Sequence, residues 1–258
     1  MNRALMFQLL VVLLVSLLLS ACQPAKKYEP EKQSKLANLH YQMGLNALHN
    51  GQLPKAFDEL LQSNELQPGQ PEVLDALAHA WRLRGDLEKA ESFYKKSLQA
   101  SSRSSTHNNY GSLLLQLKRY QEAESQFRTA LDDPRYPNPE IAYINLGDAL
   151  LEQGRFNDAI AAYRQATLLN RTQNLSRIKE AEAYLRYNRP HYAQALYETL
   201  LRKHPDNRGI LQGLLALLKK HGNLGTARKQ LETFREHAKD PLDKAWAADE
   251  LDRLNRNE

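Results

Sequence analysis

The chain has 258 residues, of which 42% are hydrophobic and 25% are charged, and its formal net charge is +5. Basic and acidic residues are mixed along the chain, which favours a solvated surface over a nucleic-acid-binding face. Only one cysteine is present, Cys22, so the chain cannot form an internal disulfide.

Residues 1–21 have the layout of an export signal. Arg3 gives a positive start, and a mostly apolar run leads into the small residues that precede Cys22. The segment Leu19-Ser20-Ala21-Cys22 resembles the bacterial lipobox, which implies that Cys22 becomes the acylated N-terminus, carrying lipid such as palmitate. An uncleaved membrane anchor is the alternative, because the run is close to the ~18-residue lower limit of a spanning helix.

The sequence after the cysteine predicts a flexible tether over residues 22–35. Proline, lysine and glutamate dominate this stretch and no aliphatic pattern is visible. Gln23 follows the cysteine where enteric-type sorting would place aspartate for inner-membrane retention. The resemblance therefore implies a lipid-anchored protein on the periplasmic side of the outer membrane.

A repeat of about 34 residues fills the body of the chain. Alanines recur at spacings of 34, 33, 36, 34 and 34, a large residue stands four positions after each, and in most units a small residue stands twelve positions before it. We expect the small residues to let two helices cross closely, while the large ones fill the gap between neighbouring units. The alanines are Ala56, Ala90, Ala123, Ala159, Ala193 and Ala227.

This spacing resembles the tetratricopeptide repeat, a helix, a tight turn and a second helix. Glycines stand at most of the expected turns, whereas the third and fifth units have "LKRYQ" and "YNRPHY" instead. The sequence thus predicts an all-α fold, a right-handed α-solenoid of about six repeats over residues 36–239. Residues 240–258 are predicted to form a capping helix that covers the last repeat.

No catalytic or metal-binding constellation is found in the sequence. The eight histidines are scattered, and no phosphate-cradling glycine loop or nucleophile motif occurs. We therefore predict a protein that is not an enzyme, needs no cofactor and no metal, and takes no small-molecule substrate.

Binding through a concave groove is the remaining prediction. In the register of the repeat, the first helix of each unit lines this groove. Apolar side chains of the first unit would suit a partner helix or extended peptide, or they would pack against the tether. Asparagines in the third and fourth units would fix a peptide backbone, although Asn145 also fits a structural role. The predicted partner-binding residues are Tyr41, Leu45, Leu48, Asn108, Ser112 and Asn145.

Residues 108–147 are similar to a narrower family, the type IV pilus biogenesis lipoproteins of the PilF/PilW type. The resemblance is carried by "NNYG" at 108–111, "RYQEA" at 119–123, Tyr136-Pro137 and "NLG" at 145–147. It implies a pilotin that binds secretin subunits of the type IV pilus and promotes their outer-membrane localisation and multimerisation. The alternative is a periplasmic scaffold lipoprotein that recruits cell-wall or envelope-assembly proteins.

Overall fold

The computed structural model describes residues 30–172 and 174–256, and these residues form thirteen α-helices and no strand. The signal at 1–21, Cys22 and the first part of the predicted tether lie outside the described residues. The helices are α1 Pro30–His49, α2 Leu53–Leu66, α3 Pro71–Arg84, α4 Leu87–Ala100, α5 Ser104–Gln116, α6 Tyr120–Leu131, α7 Pro139–Glu152, α8 Phe156–Leu169, α9 Leu175–Arg186, α10 Pro190–Lys203, α11 Arg208–Lys220, α12 Leu224–His237 and α13 Pro241–Arg256.

The first helix begins earlier than the sequence predicts. Residues 30–35, expected to belong to the tether, form the first turns of α1. Pro30 suits the first helical position, and the carboxylate of Glu31 pairs with Lys35 one turn later at 2.7 Å. The side-chain amide of Gln33 also donates to the carbonyl of Leu66 at 2.6 Å. Polar contacts therefore order a segment that has no apolar pattern to reveal it.

The described part of the chain forms two compact units, with the boundary between Val73 and Leu74. In the first unit α1 packs against α2. Leu60 is fully buried, and a Cβ atom on Gly44 would lie 2.7 Å from its side chain. The hydroxyl of Ser63 donates to the carbonyl of Ala37 at 2.8 Å, and His40 pairs with Glu59 at 2.7 Å. Glycine thus permits the close crossing that the repeat pattern predicts.

The second unit repeats the same packing through α4 to α12. A Cβ atom on Gly111 would lie 2.6 Å from Cε1 of Phe127, and Gly147 faces the ring of Tyr163 in the same way. These large side chains contact the glycine of their own repeat, rather than only filling the gap between units. The alanines that define the repeat in this unit are all fully buried, namely Ala90, Ala123, Ala159, Ala193 and Ala227. The predicted all-α fold of tetratricopeptide type is confirmed.

The turns inside the repeats share one geometry. At Gly154 the backbone has a φ of +74°, and the next amide, of Arg155, donates to the carbonyl of Leu150 at 2.9 Å. That is a Schellman closure, in which a left-handed residue ends the helix. The two turns that lack glycine adopt it as well, with Lys118 at +60° and Asn188 at +57°.

The last helix, α13, covers α12. Trp246 lies edge-on to Phe234 at a centroid distance of 5.6 Å, and Leu251 is buried. The carboxylate of Asp240 accepts a hydrogen bond from the amide of Leu242 at 2.9 Å, at the start of the helix. Within residues 30–172 and 174–256, none of the helices has the length and apolar character needed to span a bilayer.

Candidate functional site

One of the three residues predicted for binding in the first repeat lines a pocket. Tyr41 borders a cavity of about 290 Å³ within the first unit, together with Asn38, Gln67 and Glu72. Leu45 and Leu48 are half-buried on the same helix but do not line this cavity. The surface there mixes amide, carboxylate and phenol groups, so it offers hydrogen-bonding groups to a partner as well as apolar area.

The three polar residues predicted for the third and fourth repeats come together between α5 and α7. The amide nitrogen of Asn145 lies 3.0 Å from Oδ1 of Asn108 and 3.4 Å from Oγ of Ser112. The Ser112 hydroxyl donates to the backbone carbonyl of Asn108 at 3.0 Å. Asn108 is only 7% exposed. This cluster therefore joins two repeats, and at least part of its hydrogen-bonding capacity is used inside the protein.

Similar polar contacts join the repeats on either side. The amide of Asn109 donates to the carboxylate of Asp75 at 3.0 Å, between α5 and α3. Lys179 on α9 contacts Asp148 on α7 at 3.3 Å. In each case the donor stands two positions before the small crossing residue of its repeat, and it reaches back to the preceding repeat. The second unit thus has a ladder of polar contacts along its first helices.

Arginines at the start of the second helices form a further set of contacts. The guanidinium of Arg119 donates to both carboxylate oxygens of Glu91 at 2.8 Å, and its other edge donates to Glu122 at 2.6 and 2.7 Å. Arg155 repeats this one repeat later, holding Glu124 at 2.8 and 2.9 Å. It also contacts Asp158 at 2.7 Å. We call this arrangement, one arginine between two carboxylates, an arginine fork.

The arginine forks change the acidity of their carboxylates. Burial acts to raise the pKa of Glu91, but hydrogen bonds from Lys95, Arg119 and Tyr110 outweigh it and hold the pKa at about 2. Burial and the bond to Glu91 in turn raise the pKa of the Tyr110 phenol to about 12. Arg119 also has a raised pKa, mainly because of its bond to Glu122. At neutral pH every member of the fork is in the protonation state that binds best.

The arginine forks were not predicted from the sequence, in which Arg119 stood out only as part of the "RYQEA" motif. The signal is nevertheless present, because arginine stands four positions before the crossing alanine in three successive repeats, at Arg119, Arg155 and Arg189. Since the partner carboxylate lies in the preceding repeat, only an alignment of the repeats to each other would have revealed it.

No arrangement suited to catalysis was found among the described residues. Across residues 30–172 and 174–256, no three His, Cys, Asp or Glu side chains form a group that could hold a metal ion. His107 is bonded to Gln126 at 2.7 Å and to Ser102 at 2.9 Å.

Comparison with known proteins supports this fold and shows a sequence similarity to a type IV pilus protein. Two family models described as tetratricopeptide repeat match residues 73–108 and 102–169. The protein described as type IV pilus assembly protein PilF of Pseudomonas aeruginosa is 29% identical over 168 residues, which span 63% of this chain and 67% of that protein.

Two solved structures share the fold. The structure of Pseudomonas aeruginosa PilF matches with a TM-score of 0.68 at 22% identity, covering 88% of this chain and 100% of that one. The structure of PilW, described as a widely conserved type IV pilus biogenesis factor, matches with a TM-score of 0.71 at 20% identity, covering 78% and 92%. The chain therefore has the fold of tetratricopeptide-repeat proteins, and its sequence is similar to that of PilF over 63% of its length.

Proposed function

We propose that this protein acts in type IV pilus biogenesis as a pilotin, a lipid-anchored protein that binds secretin subunits at the outer membrane. The observation that carries the proposal is the sequence relationship to PilF, at 29% identity over 63% of the chain. The fold agrees with a binding role, because stacked helix pairs present extended surfaces to other proteins.

The mechanism we propose is physical. Lipid on Cys22 holds the protein at the inner leaflet of the outer membrane, and two or more acyl chains are needed for a stable hold. The repeats then capture a segment of the secretin. Tethering raises the local concentration of secretin subunits at the membrane and so favours their assembly into a ring.

We place the secretin contact on the first repeat. Tyr41 borders a cavity of about 290 Å³, next to the amides of Asn38 and Gln67. An extended segment needs this combination, since amides bond its backbone while the ring packs on its side chains. By contrast, the Asn108, Ser112 and Asn145 cluster bonds within itself, so we assign it to holding the repeats in register.

The test measures heat-resistant secretin multimers in outer-membrane fractions. We expect the multimer to disappear in a deletion strain and to be reduced or mislocalised with Cys22→Ser. Tyr41→Ala should reduce it, whereas Leu39→Ala, a change at a 53% exposed leucine of the same helix, should not.

An unchanged secretin ring in both the deletion and the Cys22→Ser strain would contradict the pilotin role and favour an envelope scaffold. Equal loss with Tyr41→Ala and Leu39→Ala would contradict only the assignment of the contact to Tyr41.

A further inference from the structure

The fifth repeat contains an arginine whose fork partners are missing from the sequence. Arg189 occupies the same position in its repeat as Arg119 and Arg155 do in theirs. Each is the N-cap residue, immediately before the second helix of the repeat. The residue that would correspond to Glu91 and Glu124 in the preceding repeat is Ile160. The residue three positions after the arginine, acidic in the two closed forks, is Tyr192.

Arg189 accordingly has different surroundings from its two counterparts. Its guanidinium carbon lies 4.5 Å from the centre of the Tyr187 ring. Among the described residues no carboxylate forms an ion pair with it, and its side chain is exposed to solvent. A guanidinium stacked on an aromatic ring keeps its donor edges available, because stacking uses only its face.

An open groove lies beside this arginine. It has a volume of about 560 Å³, within the size range of binding clefts. Ile160 and Tyr184 are almost fully buried, whereas Tyr192 is 55% and Leu168 59% exposed. The rings of Tyr184 and Tyr192 stack at 5.0 Å with an interplanar angle of 17°. Among the residues that the structure describes, none of those lining the groove is acidic.

The second arginine that lines the groove, Arg164, already has partners within the protein. Arg164 donates to Glu180 at 2.7 Å and to the hydroxyl of Tyr184 at 2.7 Å. These bonds hold Tyr184, and through it the stacked ring of Tyr192, in place. The groove therefore combines a fixed aromatic wall with one exposed, uncompensated arginine.

We propose that this groove binds an acidic segment of a partner protein, with a carboxylate of the partner accepting hydrogen bonds from the exposed Arg189 guanidinium, as Glu91 and Glu124 accept them from the arginines of the closed forks. The acidic character of the partner is inferred from the chain itself, in which the two equivalent arginines each bind carboxylates. At the two equivalent positions the arginine binds carboxylates bidentately or at both edges. The aromatic and aliphatic side chains that line the groove beside Arg189 suit an aliphatic or aromatic side chain next to that carboxylate. This surface is additional to the first-repeat contact proposed above.

The test compares two fluorescein-labelled octapeptides by fluorescence polarisation on the full-length chain in mild detergent. One has the sequence Ser-Gly-Phe-Glu-Leu-Glu-Gly-Ser, and the other has both glutamates replaced by glutamine. Because the arginine gains a charge-assisted bond only with the first, we expect the glutamate peptide to bind about tenfold more tightly.

Three variants locate the binding. Arg189→Gln should remove the tenfold preference, and Ile160→Glu should remove it too, because an internal carboxylate then closes the fork. Arg155→Gln, the matched change in a closed fork, should leave the preference intact. Circular dichroism checks that each variant keeps its helix content.

Equal binding of the two peptides, or no binding of either, overturns the proposal. So does a preference that persists in Arg189→Gln or disappears in Arg155→Gln.

Discussion

The third and fourth repeats differ from the fifth in how they use the same framework. In the third and fourth repeats, a glycine lies under the large ring of its own repeat, and the turn arginine is held between two carboxylates. In the fifth, Ala181 replaces the glycine, and the ring of Tyr197 faces Gly213 of the following repeat, 2.8 Å from where a Cβ would stand. The middle repeats are thus locked internally, whereas the fifth leaves its arginine and aromatic surface available.

The largest effect should come from breaking a locked crossing. Gly111→Ala places a methyl group 2.6 Å from the fully buried Phe127 ring, so the ring or the helices must shift. We expect the free energy of unfolding in urea to fall by about 2–3 kcal/mol. Gly225→Ala is the control, because nothing lies within 4 Å of a Cβ there. If both changes had the same effect, the close crossing would not be the cause.

Acid should weaken the arginine fork selectively. The pKa of Glu91 is about 2 in the folded protein and 4.5 when unperturbed, so the unfolded chain binds more protons between these values. Stability from this group is therefore present above about pH 5 and lost as the pH falls towards 2.

The measurement is the unfolding free energy of the wild type and of Glu91→Gln against pH. At pH 6 the variant should be less stable by about 2 kcal/mol, and the gap should close near pH 2. A gap that stays constant with pH would assign the loss to packing instead.

A closed fork should be worth more to stability than the open one. Arg119→Gln removes hydrogen bonds to two carboxylates and leaves the partly buried Glu91 short of a partner. We expect a loss of about 1.5 kcal/mol in urea unfolding. Arg189→Gln should change stability by less than about 0.5 kcal/mol, as is usual at exposed positions. Comparable losses in the two variants would mean that Arg189 is also held within the fold.

In the ladder of polar contacts, the more buried contact should likewise contribute more to stability than the more solvated one, although both losses should be smaller than at the closed fork. Asn145→Ala leaves the buried Oδ1 of Asn108 without its donor, which should cost about 1 kcal/mol. Lys179→Ala removes a more solvated contact with Asp148 and should cost about 0.5 kcal/mol or less. Thermal unfolding of the two variants side by side checks the order, and a reversed order would contradict this prediction.

The smallest expected effect is an increase in stability at a turn that lacks glycine. Lys118 has a φ of +60°, which glycine adopts without steric cost, as at the turn containing Gly154. Lys118→Gly should therefore raise the unfolding free energy by up to about 1 kcal/mol. Asn188→Gly should raise it less, because asparagine tolerates this conformation. Destabilisation by Lys118→Gly would indicate that the lysine side chain contributes contacts of its own.

Much of the fold could be predicted from the sequence because its signals are local and repeated. The alanine spacing located the buried crossings, and the large residues four positions on are indeed buried. The start of α1 at Pro30 was missed because its support is polar and includes a bond to Leu66, which is distant in sequence.

The candidate site was only partly predictable. Asn108, Ser112 and Asn145 were predicted as groove residues, but whether their polar groups face a partner or each other depends on side-chain geometry between repeats. The forks and the unfilled position of Arg189 were missed for the same reason, since each contact joins residues about 30 positions apart in the sequence.

The covering of α12 by α13 has a consequence for cooperativity. Lys219 reaches Glu250 at 2.5 Å and Arg208 lies over Trp246 at 4.5 Å, so α13 contacts the first helix of the last repeat as well as the second. In such a one-dimensional array, opening at the end disrupts one interface and leaves the earlier ones intact. The second unit should therefore fray from its carboxyl end, with amide hydrogen exchange slowest in α5 to α8 and progressively faster towards Arg256.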